Sequence, residues 1–94
     1  MDEVQFERIA KALADPTRFA VLESIAADDE VSCSALAESC AVTMPTVSHH
    51  LKELAVAGLL EARREARFVY YRFRRDTAAA YLGELQRRLR TEIK

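Results

Sequence analysis

A mainly α domain carrying one small β-hairpin, in the order ααααββα, is predicted by three observations. Apolar residues recur at helical spacing through most of the chain, and one stretch, 59–73, changes to period two with β-branched and aromatic enrichment. Pro16, Pro45 and Gly58 stand where segments begin or end. At 94 residues, half of them apolar and 31% charged, the chain has the composition of a compact globule with one modest core.

The elements follow in order. Residues 4–14 set Phe6, Ile9, Ala10 and Leu13 at helical spacing. The run stops at ADPTR, where Asp15 can cap a second helix with Pro16 at its first position. That helix spans about 16–27, with Phe19, Leu22, Ile25 and Ala26 on one face, and ends at the acidic turn DDE. Ser34 suits the cap of a short third helix carrying Leu36, Ala37 and Cys40. After a short break, Thr43 and Pro45 open a fourth helix that Gly58 closes, so the third and fourth make a helix-turn-helix. LLEARREARFVYYRF then reads as a hairpin turning near Glu65 and Ala66, with Val69, Tyr71 and Phe73 on one face. Asp76 caps a last helix with Leu82, Leu85, Leu89 and Ile93.

Charge is segregated, although the net charge is only −1. Residues 1–43 carry three Lys/Arg against nine Asp/Glu; residues 44–75 carry seven against three. The basic surplus thus coincides with the fourth helix and the hairpin, the pattern expected of a surface for an anionic partner. The acidic N-terminus lacks the basic start of a secretory signal, and no apolar run reaches about 18 residues, so a cytoplasmic protein with no membrane partner is expected. In that compartment Cys33 and Cys40 are expected as thiols.

MPTVSHHLKELAVAGLL contains adjacent histidines. At about 100° per residue, Val47, Leu51, Leu54 and Gly58 form the buried stripe of the fourth helix, and Pro45, His49, Lys52 and Val56 lie opposite. Thr46 and Ser48 take the shoulders, and His50 sits about 60° from the stripe, a packed and hydrogen-bonded position. The two imidazoles diverge, whereas helical metal ligands sit three or four apart, so the pair is not read as a metal site. His49 with Glu53 at i+4 is read as a surface helix pair. No nucleophile-base motif or glycine-rich pocket occurs, so neither an enzyme nor a cofactor is expected. The remaining outward face, Thr46, Ser48, His49 and Lys52, suits a helix reading the DNA major groove.

The stretches ALADPTRFAVLESIA, TVSHHLKELAVAGLL and RREARFVYYRF, in that order, resemble the ArsR/SmtB-type winged-helix repressors of bacteria. The resemblance covers nearly the whole chain. It implies a single winged helix-turn-helix domain over 1–94, with helix-turn-helix 34–58, wing 59–74, and dimerisation helices 1–14 and 76–92. It implies a homodimer binding double-stranded operator DNA of inverted-repeat form, released by an inducer that the sequence does not identify. Matched position by position, the reading helix contributes Pro45, Thr46, Ser48, His49 and Lys52, and the wing Arg63, Arg64 and Arg67. Phe6, Ile9, Leu13, Leu82, Leu85 and Leu89 are the expected dimer seams.

The chain departs from the family in its metal sites. Ser32 and Ser34 stand where metal-sensing members carry a Cys-x-Cys pair, and the last helix holds no histidine. Cys33 and Cys40 match positions that are usually apolar and are read as small core residues. About 10 Å of helix separates them, beyond the roughly 7 Å reach of a disulfide. Ala41 and Ala66 replace turn glycines, implying turns that avoid positive φ or bear slight strain, and Met44 replaces a polar residue. Two alternatives stay open: a metalloid- or thiol-responsive sensor using Cys33 or Cys40, and a winged-helix interaction module that binds no DNA.

Overall fold

The computed structural model describes residues 1–40 and 43–91, without the side chains of Ser39 and Cys40. The expected placements of Cys40, Ala41 and Ile93 lie outside that description. The order is α1 (Glu3–Ala14), α2 (Pro16–Ala26), β1 (Val31–Ser32), α3 (Cys33–Cys40), α4 (Met44–Val56), β2 (Leu60–Glu65), β3 (Phe68–Phe73) and α5 (Arg75–Leu89). The strands form one antiparallel sheet in the order β1-β3-β2. β1, which pairs Val31 with Tyr71 and Ser32 with Tyr70, is the element the sequence did not announce. Two residues carry no readable period.

Local chemistry explains the starts and stops. Asp2 and Asp15 accept the backbone N–H groups of Gln5 and Arg18, at 2.8 and 3.0 Å, capping α1 and α2. The cap of α3 is Ser32, whose Oγ accepts the Ala35 N–H at 3.2 Å; Ser34, expected in that role, lies inside the helix. The two-residue strand brings the chain into α3 earlier than helical periodicity alone suggests. Asp76 is likewise in the first turn of α5, with Arg74 at the cap position, and its carboxylate takes the Arg74 guanidinium at 2.7 Å. Gly58 ends α4 at φ +87°, where a Cβ would stand 2.7 Å from Gln5 Nε2.

The core joins Ile9 and Ala12 of α1, Val21, Leu22 and Ile25 of α2, Leu36 of α3, and Val47, Leu51 and Leu54 of α4 to Leu59 and Leu60 at the wing's base. Ala10 and Phe19, expected to face inward, are exposed, and Ala12 and Val21 take their places. PTRFAVLESIA is apolar around most of its circumference, so spacing alone could not select the inner face of α2. Ile9 was expected in the dimer seam, but it is wholly buried within the monomer and belongs to its core.

The hairpin pairs Leu60 with Phe73 through Glu65 with Phe68, leaving Ala66 and Arg67 as the turn. Ala66 sits at φ 54°, so the turn takes the strained option of the two expected. A Cβ in the left-handed region costs on the order of 1–2 kcal/mol. Ala66→Gly is therefore expected to stabilise the fold by about 0.5–1 kcal/mol, read as a higher urea midpoint with an unchanged slope.

α5 is held to α1 at its edge. Tyr81 packs edge-on against Phe6 with ring centres 5.2 Å apart, and the Arg88 guanidinium lies 3.9 Å from the Phe6 ring centre. Arg88 also bridges Glu3 at 2.8 Å and Glu84 at 3.0 Å. Hydrogen bonds from Arg87 and Arg88 push the Glu84 carboxyl down to about 2. Thr77 alone in α5 is buried, while Leu82 and Leu89 are 59% and 65% exposed. The Cα radius of gyration, 14.0 Å, exceeds the roughly 12.4 Å expected of a compact chain this long. An apolar groove of about 520 Å³ runs beside α5, lined by Leu13, Phe19, Leu22, Tyr81, Leu82 and Leu85.

Candidate nucleic-acid interface

α4 divides as its helical wheel requires. Val47, Leu51 and Leu54 are fully buried against the core, and Pro45, Thr46, Ser48, His49 and Lys52 are all exposed. The Thr46 hydroxyl shares a 2.9 Å hydrogen bond with that of Thr43, the cap-position residue, which steadies the first turn of the outward face. The histidine rings are tilted 48° apart with centres 5.9 Å from each other. His49 is solvent-facing and His50 is 7% exposed, as the wheel predicts. Two details differ. His50 Nδ1 has no hydrogen-bond partner among the described residues, so at that atom its packing is not matched by the expected hydrogen bonding. His49 and Glu53 form no ion pair among the described residues; Glu53 instead lines a cavity beside α1 and α2.

The wing arginines are not equivalent. Arg63 donates to Glu30 through Nε at 3.0 Å and Nη2 at 2.6 Å, and to Glu65 through Nη1 at 2.8 Å. Its guanidinium carbon lies 4.8 Å from the centre of the Tyr70 ring, the residue directly across the hairpin. These carboxylates raise the Arg63 pKa further above its ordinary value, and Arg63 in turn holds Glu30 below its own. Arg63 therefore fastens the wing to the turn after α2. Arg64 and Arg67 are exposed and form no salt bridge among the described residues, although Arg67 lies 5.4 Å from the Phe68 ring centre. Arg72 and Arg74 are paired with Glu61 and Asp76. Of the basic surplus in this half, Lys52, Arg64 and Arg67 are thus the predicted contact residues without a salt bridge among the described residues.

The roles of Glu30 and Tyr70 escaped sequence reasoning. Glu30 lies 33 positions from Arg63, with no local pattern connecting them. Tyr70 could have been found by counting strand partners outward from the turn.

Met44 at the start of α4, Ser34 of α3, and Arg67 and Phe68 of the wing tip line one cleft of about 340 Å³. The wing tip and the N-terminal end of α4 therefore border a common space. Cys33 also lines it, half-buried and packed against the core, matching its reading as a small core residue. Burial pushes the Cys33 thiol above its ordinary value, keeping it protonated at neutral pH. Alkylation of Cys33 by iodoacetamide at pH 7.5 is accordingly expected to be about fivefold or more slower in the native protein than in urea, followed by mass spectrometry of the Cys33 peptide. Ser32 and Ser34 approach each other at 3.4 Å through their hydroxyls.

The family model described as a helix-turn-helix domain matches residues 13–63. The chain is 37% identical over 76 residues to the HTH-type transcriptional regulator YceK of Bacillus subtilis, covering 80% of this chain and 76% of that protein. It is 38% identical over 64 residues to the arsenic resistance transcriptional regulator ArsR1 of Pseudomonas putida, covering 68% of this chain and half of that one. A solution NMR structure of a homodimeric winged helix-turn-helix DNA-binding domain from Mycobacterium bovis, described as a possible ArsR-family regulator, superposes with a TM-score of 0.74 at 32% identity, over 96% of this chain and 82% of that one. No helix among the described residues is long and apolar enough to cross a membrane. The helix order, the hairpin wing and these relatives agree: the chain belongs to the ArsR family of winged helix-turn-helix transcriptional regulators.

Proposed function

We infer that the protein is a homodimeric repressor that binds an inverted-repeat operator and is released by an inducer. The observation that carries this reading is the division of α4: a fully buried apolar stripe fixes the helix, leaving Pro45, Thr46, Ser48, His49 and Lys52 exposed on the helix whose first residue, Met44, shares a cleft with Arg67. Small hydroxyls and an imidazole can meet base edges and phosphates without crowding, and α4 has the width of a major-groove reader. Arg64 and Arg67 supply phosphate contacts; Arg63 contributes chiefly by holding the wing in place. The domain is organised as 34–58 for the helix-turn-helix and 59–74 for the wing, with 1–14 and 76–92 for dimerisation. Phe6, Leu13, Leu82, Leu85 and Leu89 contribute to the dimer seam.

The test is fluorescence anisotropy with DNA from upstream of its own gene and a shuffled control, at two salt concentrations. Tight binding that prefers the native sequence and weakens with salt is expected, with footprints on half-sites about 10–10.5 base pairs apart or a multiple of that. Equal weak binding to both sequences would reject this operator. His49→Ala is expected to keep most of the affinity while losing about 1–3 kcal/mol of discrimination at one base pair per half-site. Unchanged preference across a base-substituted operator set would remove His49 from the readers. The partial burial and protonation of Cys33 weigh against its being a thiol sensor.

A further inference from the structure

The first 43 residues hold three basic side chains among nine acidic ones, and all three basic residues, Arg8, Lys11 and Arg18, line one cavity. The cavity, about 350 Å³, lies between α1, α2 and the C-terminal half of α4. Ala12 and Ala57, both buried, form part of its wall, and Glu53 is the single carboxylate among the described residues that line it.

Several other arginines are neutralised by neighbours: Arg63 by Glu30 and Glu65, Arg72 by Glu61, Arg74 by Asp76, and Arg87 and Arg88 by Glu84, whereas Arg64 and Arg67 of the exposed wing are not. No salt bridge among the described residues includes Arg8, Lys11 or Arg18. Arg18 Nε is shut off from solvent without a hydrogen-bond partner among the described residues. Asp15, the acidic residue nearest Arg18 in sequence, is committed to capping α2. Like charges three apart on a helix, as Arg8 and Lys11 are, repel each other, and a buried N–H without an acceptor carries a desolvation cost. Both costs are offset if an anion occupies the cavity.

We propose that this cavity binds a small phosphomonoester bearing a hydroxyl group. Three cations and one carboxylate leave a formal surplus of two positive charges, matching a phosphate near −2 rather than a monocarboxylate. Glu53 disfavours a bare anion and favours a ligand whose hydroxyl faces it. The same carboxylate repels a duplex backbone, which brings phosphate without such a donor. The volume lies at the small end of the range for compact-ligand pockets. Because Glu53 and Val56 belong to α4, occupancy would act on the helix assigned to DNA reading. That regulatory consequence rests on the proposed function, whereas the binding site does not.

The experiment is an amide NMR titration of the full chain, without DNA, with inorganic phosphate and glycerol 3-phosphate at ionic strength matched by chloride. Saturable shifts are expected for residues 8–18 and 53–57, with glycerol 3-phosphate binding more tightly than inorganic phosphate. Arg8→Gln with Lys11→Gln, on the exposed side of α1, should weaken both by at least about tenfold. Glu53→Gln should tighten inorganic phosphate severalfold and reduce the preference for glycerol 3-phosphate, an effect that damaged folding would not produce. Linear, unsaturating shifts spread equally to Arg64 and Arg67 would overturn the proposal. So would unaltered affinities in the charge variants, or saturable shifts at these amides with duplex DNA and none with either phosphate.

Discussion

Arg64→Ala with Arg67→Ala is expected to weaken operator binding about a hundredfold near physiological salt and to flatten its salt dependence. Each phosphate contact contributes roughly 0.9 to the slope of log K against log salt, so two residues in each of two subunits would remove about 3.6. Their charges are not offset by salt bridges among the described residues, so the free protein already presents them to an incoming phosphate. Arg63 supplies the internal comparison because its guanidinium is divided between Glu30 and Glu65 and lies against Tyr70. Arg63→Ala should reduce the salt slope much less per residue and act mainly by loosening the wing. The checking measurement is anisotropy across at least four salt concentrations for both variants. Equal slopes for the wild type and the Arg64/Arg67 variant would remove the wing from the phosphate-contacting surface.

Three basic wing positions were legible from sequence, but the sequence could not divide them into one anchor and two uncommitted charges. The anchoring acid, Glu30, arrives through the fold: β1 joins β3 immediately after it, carrying the turn that follows α2 to the sheet's edge. A bond between residues this far apart leaves no local pattern. The buried stripe of α4 was legible at Val47, Leu51 and Leu54, which alternate with polar residues at helical spacing, so one face had to turn inward; Gly58, expected in the same stripe, lies past the end of the helix and is only half-buried. α2 gave no such contrast, and Phe19 could be placed only once α1 and α5 were in position beside it. The cap of α3 was displaced for a related reason: Ser32 and Ser34 are chemically equivalent caps, and the strand leading into the helix selects between them.

The unequal treatment of apolar residues on α1 and α5 gives the second large prediction. Leu82→Glu with Leu89→Glu is expected to convert the protein from dimer to monomer in sedimentation velocity, with a folded circular dichroism spectrum retained. Both side chains are more than half exposed, so charging them costs the isolated subunit little, whereas desolvating four carboxylates in a dimer seam would be prohibitive. Operator affinity should fall by roughly 10²–10⁴, because the second half-site would no longer be engaged at the effective concentration set by a linked subunit. Ile9→Ala should do the reverse: it would destabilise the fold by about 2–5 kcal/mol through a cavity in the core while leaving the association of folded subunits largely unchanged. The two variants thus separate seam from core on neighbouring helices. A Leu82/Leu89 variant that stays dimeric would move the interface off the exposed face of α5 and off the apolar groove that Leu82 helps to line.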